Sequence, residues 1–192
     1  NPKLVSAFYN RGVARKAKGD AEGALSDFDQ ALLHQPTLVQ AYNNRGILRK
    51  VKGDFAGAVS DFDNAIKLNP QLAVSYNNRG NVRLAEQRYS EALADYSEAI
   101  RLDPKYETAY LNRGTVRKNL GQFERAIADY NHAIAINPNF PEAHLRRGVA
   151  FLLQGRQQEA HLDFAQCLKL APGFKTIIDQ RINQVRMRTT GP

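Results

Sequence analysis

The chain has 192 residues, of which 43% are hydrophobic and 24% charged, an ordinary globular composition with enough apolar surface for a core. Its net charge of +8 suits an acidic partner, whether peptide, nucleic acid or membrane surface, without choosing among them. No apolar run approaches the roughly 18–20 residues of a membrane-spanning helix. Cys167 is the only cysteine, so no internal disulfide forms and the redox compartment is undetermined. The chain begins at Asn1 rather than Met and shows no signal-peptide pattern; it reads as a processed form or an excerpt.

In chain order, residues 1–4 ("NPKL") match the close of a unit such as "NPQL" at 69–72, and read as the end of a preceding repeat. Sliding the chain by 34 positions then aligns five units: 5–38, 39–72, 73–106, 107–140 and 141–174. Within each unit a glycine (Gly12, Gly46, Gly80, Gly114, Gly148) precedes an alanine (Ala24, Ala58, Ala92, Ala126, Ala160). An aromatic follows (Phe28, Phe62, Tyr96, Tyr130, Phe164), then a small residue (Ala31, Ala65, Ala99, Ala133, Cys167). Proline closes the unit at Pro36, Pro70, Pro104, Pro138 and Pro172. Residues 39–52 and 56–69 each show helical periodicity, split by the stop-and-turn pair Gly53-Asp54. Each unit is therefore expected to be a helical hairpin. One hairpin cannot bury its apolar stripe alone, so neighbours stack. Glycine inside a helix costs about 0.5–1 kcal/mol against alanine; close approach of the partner helix at the recurring alanine is the expected compensation. Residues 175–192 lack the pattern; 175–188, with Ile177, Ile178, Ile182 and Val185 on one side, read as an amphipathic helix that caps the last hairpin, or else binds a partner.

These residues resemble the tetratricopeptide repeat family, whose units carry aromatic, glycine, alanine, aromatic, small and proline residues in this order over 34 positions. The resemblance covers about residues 5–174. It implies an all-α, right-handed superhelical solenoid of five helix-turn-helix hairpins plus a C-terminal capping helix. It also implies a concave face that binds partners, and no catalysis.

The chain departs from the family at two places. The seventh position of each unit, usually leucine, is arginine throughout: Arg11, Arg45, Arg79, Arg113 and Arg147. The eleventh, usually tyrosine, is arginine in four units: Arg15, Arg49, Arg83 and Arg117. Two arginines four apart share a helix face and repel. Asp27, Asp61, Asp95, Asp129 and Asp163 recur on the second helix and are expected to pair with them. Arginine suits such pairs because its planar fork binds a carboxylate at two points. An arginine-lined surface for acidic ligands is the other reading.

Asparagine recurs just before the arginine as Asn10, Asn44, Asn78 and Asn112, and is replaced by Arg146 in the last unit. The resemblance places this position on the concave groove. An amide offers both acceptor and donors to a peptide group, so a row of them can hold an extended backbone without reading its sequence. Alternatively, the asparagines bond to neighbouring helices or face water. Asn43 and Asn77, one residue earlier, are expected to tune the groove. Lys16, Lys50, Asn81, Lys118 and Asn119 occupy further inward positions and make it polar and mildly basic, against one long acid, Glu142. Such a groove favours acidic or carboxylate-bearing segments. The family's carboxylate clamp fits poorly, because Asn77 and Glu142 stand where its two lysines would be.

Other classes have less support. His34, His132, His144 and His161 lack metal-ligand spacing, and His144 fills an aromatic packing slot. Cys167 reads as a buried small residue. No phosphate-binding glycine loop or nucleophile elbow is present, so neither enzyme activity nor a cofactor is expected. A basic tail (Lys175, Arg181, Arg186, Arg188) is weak evidence for nucleic acid without an RNA-reading motif. An open apolar N-terminal face offers a surface on which a second copy could stack. The sequence thus reads as a non-catalytic protein-interaction module that holds an extended, acidic partner segment in its groove. A scaffold binding a folded partner through its convex face or edges is the alternative.

Overall fold

A computed structural model describes residues 2–189. Asn1 and residues 190–192 lie outside the described residues, as do the side chains of Arg186 and Arg188 of the basic tail. The described residues form α-helices α1 (Pro2–Ala17), α2 (Ala21–His34), α3 (Val39–Val51), α4 (Phe55–Leu68), α5 (Ala73–Ala85), α6 (Tyr89–Leu102), α7 (Glu107–Asn119), α8 (Phe123–Ile136), α9 (Pro141–Leu153), α10 (Gln157–Leu170) and α11 (Lys175–Thr189), with a 3-10 turn at Pro172–Phe174 before the last. Residues 2–4 continue α1, whereas 69–72 form a loop between α4 and α5.

The chain divides into two compact units, Asn1–Leu102 and Asp103–Pro192. In the first, α1 packs on α2, α3 on α4 and α5 on α6, and consecutive hairpins join through α2 on α3 and α4 on α5. In the second, α7 packs on α8 and α9 on α10, with α8 on α9 joining the pairs; α11 lies against α9 and the 3-10 turn. The hairpin turns use a left-handed residue. It is Gly53 (φ +84°) in the second hairpin, where Asp54 then caps α4 by accepting from the Gly57 N–H at 2.9 Å. Only Gln87 (φ +60°) takes this conformation among the described residues other than glycine, at the expense of backbone strain.

The glycines inside the first helices make room for the recurring aromatic ring. A Cβ on Gly114 would stand 2.6 Å from the Tyr130 ring and 3.1 Å from the Ala126 carbonyl oxygen. The close approach expected at the alanine is therefore made chiefly by the ring four residues later. Those rings and alanines are the centre of each hairpin: Phe28, Phe62, Tyr96 and Tyr130 are fully buried, with Ala24, Ala58, Ala92 and Ala126 beside them. On α11, Ile178 and Val185 are buried and Ile182 packs on the last hairpin, while Ile177, expected on the same stripe, is largely exposed. Leu4 and Val13 stand exposed on α1.

The buried aspartates bind the two helices of each hairpin. Asp95 of α6 is 3% exposed and takes Arg79 Nη2 at 2.7 Å and Arg83 Nη1 at 2.8 Å, both from α5. Asp27, Asp61 and Asp129 are held in the same way by Arg11 and Arg15, Arg45 and Arg49, and Arg113 and Arg117. Hydrogen bonding from Arg11 holds the Asp27 carboxyl below the usual carboxylate range against the opposing effect of burial. The first arginine also reaches the preceding hairpin: Arg45 Nη1 donates to Asp29 at 2.6 Å and Arg79 Nη1 to Asp63 at 2.5 Å. Each also lies over an aromatic ring one helical turn earlier, Arg79 at 5.6 Å from the Tyr76 centroid. The last hairpin reaches the same end by other residues. Phe151 replaces the second arginine, and His144, expected only to pack, sends its Nδ1–H to Asp163 Oδ1 at 3.0 Å. An ionised carboxylate cannot donate, so the imidazole does. Arg147 Nη2 binds the same oxygen at 2.6 Å.

Two outcomes follow for urea unfolding. Asp95→Ala leaves Arg79 and Arg83 without their shared carboxylate and should cost about 3–5 kcal/mol, whereas Asp63→Ala at the exposed pair should cost under about 1 kcal/mol. His144→Phe should be destabilising in the native background and close to neutral when Phe151→Arg restores the arginine pair, a coupling of about 1 kcal/mol or more between the two positions.

Candidate functional site

The residues expected on the groove fall into four groups. In the first unit, Asn44 is the centre of a fixed polar cluster. Its Oδ1 accepts from Lys16 Nζ at 2.6 Å, and its Nδ2 donates to the Tyr9 hydroxyl and to the Gln40 carbonyl, both at 3.1 Å. Lys16 and Asn44, from adjacent first helices, are thus brought together, and the amide is occupied by the protein itself. Asn81 of α5 likewise accepts from the Tyr96 hydroxyl at 2.8 Å.

A second group remains at the surface. Asn10 is exposed, and Asn78 and Lys50 are half-buried; none of the three side chains has a hydrogen bond or ion pair within the described residues. Asn112 is half-buried on α7. Among the described residues, Asn10, Asn78 and Lys50 therefore have no bond to exchange before they meet an incoming chain.

The third group is buried. Asn43 is 8% and Asn77 3% exposed. The Asn43 amide donates to the Val39 carbonyl at 3.2 Å and accepts from the buried Ser75 hydroxyl at 3.0 Å, tying α3 to α5. The expectation that these two tune a ligand groove is corrected on this point: they lie inside the stack, where a ligand does not reach. The signal was in the sequence, because the same position holds Leu111 and Leu145, which are also buried.

In the second unit, α7, α8, α9 and α11 enclose a cleft of about 380 Å³. Lys118, Asn119 and Arg146 line it as expected, with Glu142 on the same wall. Arg146 is held by a 2.6 Å hydrogen bond from Nη1 to Thr115 Oγ1, whose own proton goes to the Leu111 carbonyl at 2.8 Å. Among the lining residues that the sequence did not place on the groove are Arg181, read as part of a basic tail, and Tyr130, read as a core ring. Arg181 comes from α11, whose position no repeat pattern specifies. Tyr130 forms part of the cleft wall while serving as the core ring of its hairpin. Among the described residues its buried hydroxyl oxygen makes no hydrogen bond of good geometry, with Thr115 beside it. Burial pushes the phenol up to about 12, with Thr115 and Arg146 only partly opposing, so the group stays protonated and available as a donor.

With this geometry in hand, the sequence can be matched to known families. Tetratricopeptide repeat models match residues 9–73, 80–121, 116–155 and 141–174. The chain belongs to the tetratricopeptide repeat family, and its fold is that of a protein–protein interaction module. Among solved structures, it is similar to MamA from Desulfovibrio magneticus RS-1 (22% identity over 90% of this chain and 97% of that one, TM-score 0.77). It is also similar to TTC0263, a thermophilic tetratricopeptide protein of Thermus thermophilus (23% identity, 95% and 99% coverage, TM-score 0.77). A third is YrrB, described as having an unusual peptide-binding site (18% identity, 92% and 90% coverage, TM-score 0.69). Comparison with curated protein sequences gives no match. No described helix is long and apolar enough to cross a membrane, and no cluster of His, Cys, Asp or Glu among the described residues could hold a metal ion.

The two kinds of asparagine should separate by stability. Asn44→Ala removes bonds to three neighbours and should cost about 1 kcal/mol or more. Asn78→Ala removes none and adds helix propensity, so it should stay within about 0.5 kcal/mol of the parent. Thermal unfolding of the two variants side by side checks this.

Proposed function

We propose that this chain is a non-catalytic interaction module that holds extended, acidic segments of partner proteins along its first-helix faces. The observation that carries the reading is the pair Asn78 and Lys50, which nothing else among the described residues engages. A half-buried amide on a helix face can still donate to one peptide carbonyl and accept from one N–H. A lysine on the preceding first helix supplies the charge that an acidic segment needs. Asn10 and Asn112 extend the row of amides in their own hairpins, while Lys118 and Arg146 supply charge in the second unit. Asn44 joins this row only by exchanging its present partners, so it is a weaker grip than its position in the repeat suggests. The peptide-binding site described for YrrB makes this mode a reasonable one for a chain of the same fold.

Basic charge alone would also attract nucleic acid. However, Arg45, Arg49, Arg79, Arg83, Arg113 and Arg117 are each paired to an aspartate, so these guanidinium groups are engaged within the hairpins and less available to phosphates. A screen of internal and carboxy-terminal peptides against the parent chain and a double variant, Asn78→Ala with Lys50→Ala, tests the reading. The parent should select acidic peptides. The variant, folded by circular dichroism, should bind them about tenfold or more weakly, from one lost hydrogen bond and one lost charge contact. Equal binding by both proteins would reject it and direct attention to the outer faces of the second helices. Selection of RNA or DNA with steep salt dependence would favour the nucleic-acid alternative.

A further inference from the structure

The cleft of the second unit has a chemistry that a plain acidic groove does not need. Its lining carries three cations, Lys118 and Arg146 from the repeats and Arg181 from α11, against one acid, Glu142. The same lining carries apolar groups, Val149 and Leu153 of α9 and Ile177 and Val185 of α11. Ile177 is 41% exposed although its neighbour Ile178 is 3% exposed on the same helix. Ile178 and Ile182 pack on the last hairpin, whereas Ile177 lines the cleft. Among the described residues, the buried Tyr130 hydroxyl makes no hydrogen bond of good geometry, with Thr115 beside it. A wall of this kind matches a ligand with an aliphatic body and an anionic oxygen a short distance away.

Resting on the acidic-segment reading above, we infer that this cleft is a specificity pocket whose apolar wall is α11, and that it takes an aliphatic side chain flanked by an acidic side chain within an extended segment of a partner protein. The aliphatic group lies between Val149, Leu153 and Ile177. The neighbouring carboxylate meets Arg146, which exchanges its bond to Thr115 for a charge-assisted one, and Arg181 closes over it from α11. The net charge of the lining, three cations against one acid, is what selects a carboxylate over an amide. In this role α11 does more than cover apolar surface: it decides which partner sequence is accepted.

The test is an NMR titration of the uniformly labelled full chain with four short peptides in a glycine–serine frame. Three are capped at both ends and carry Leu-Glu, Ala-Glu or Leu-Gln at the centre; the fourth has no Glu and ends in Leu with a free carboxylate. Leu-Glu should bind tightest and shift the amides of Thr115, Arg146 and Ile177. Loss of the leucine or of the charge should each weaken binding about tenfold. Ile177→Asn, at an exposed position that the fold tolerates, should make the chain indifferent between Leu-Glu and Ala-Glu. Arg181→Gln, also at the surface, should narrow the difference between Leu-Glu and Leu-Gln. If Ala-Glu binds as well as Leu-Glu, or Ile177→Asn changes nothing, the pocket is wrong while the acidic groove stands. Tighter binding of the free-carboxylate peptide overturns the internal-acid assignment in favour of a chain terminus. If no peptide binds the chain, the pocket and the groove fall together.

Discussion

A buried carboxylate gripped by two arginines holds this molecule's hairpins in register. Taking a charge out of water is costly, and an aspartate with one partner would be a liability in the core. Here each of the first four hairpins gives its aspartate two guanidinium groups from one helix, spaced so that each carboxylate oxygen has its own donor. The arrangement also neutralises the repulsion between the two arginines, which would otherwise disfavour the first helix. Because the bond runs from first helix to second, it constrains the hairpin's helix separation to a side-chain length. The glycine then lets an aromatic ring fill the space at that separation.

The same arginine carries the constraint into the neighbouring hairpin. Arg45 and Arg79 each spend a second nitrogen on an aspartate of the hairpin before. These outer pairs are half in solvent and contribute little stability. Their geometry is nonetheless strict, since the fork that binds the inner carboxylate leaves only one direction for the outer one. Orientation between hairpins in the first unit is therefore tied to orientation within them. Asn43 and Ser75 add a buried link between α3 and α5. Within the first unit, positions that recur once per hairpin, such as Asn10, Asn44 and Asn78, therefore sit on hairpins joined by the same kind of link.

The last hairpin shows how far this design bends. It lacks the second arginine, and the imidazole of His144, three residues before Arg147 on the same helix, supplies the second partner of the aspartate. Phe151, standing where the arginine would be, is covered by Arg147 and Arg156 at 5.9 and 4.4 Å from its ring centroid. Charge and ring have exchanged places while the aspartate keeps two partners. The hairpin that departs most from the repeat is also the one that meets α11, where the cleft opens.

Helix number, hairpin order and the arginine–aspartate pairing were legible in the amino-acid sequence, because each is written several times at a fixed spacing and depends only on which residues share a helix face. Repetition marked Gly114 and Tyr130 as fixed positions, but the close approach expected at the alanine is made chiefly by the ring. What happens once was decided by tertiary structure. Asn43 and Asn44 are neighbours of the same type, yet Asn43 is buried and Asn44 half-buried, since consecutive helical residues point about 100° apart; that Asn43 meets Ser75 of α5 was settled by packing. The amide of Asn44 proved to be engaged because Lys16 and Tyr9 arrive from another hairpin. Arg181 and Ile177 became cleft residues because α11 docks where no periodicity specifies a register. Local pattern determines the element and its buried face; which polar groups remain for a partner depends on side chains that approach from elsewhere in the chain.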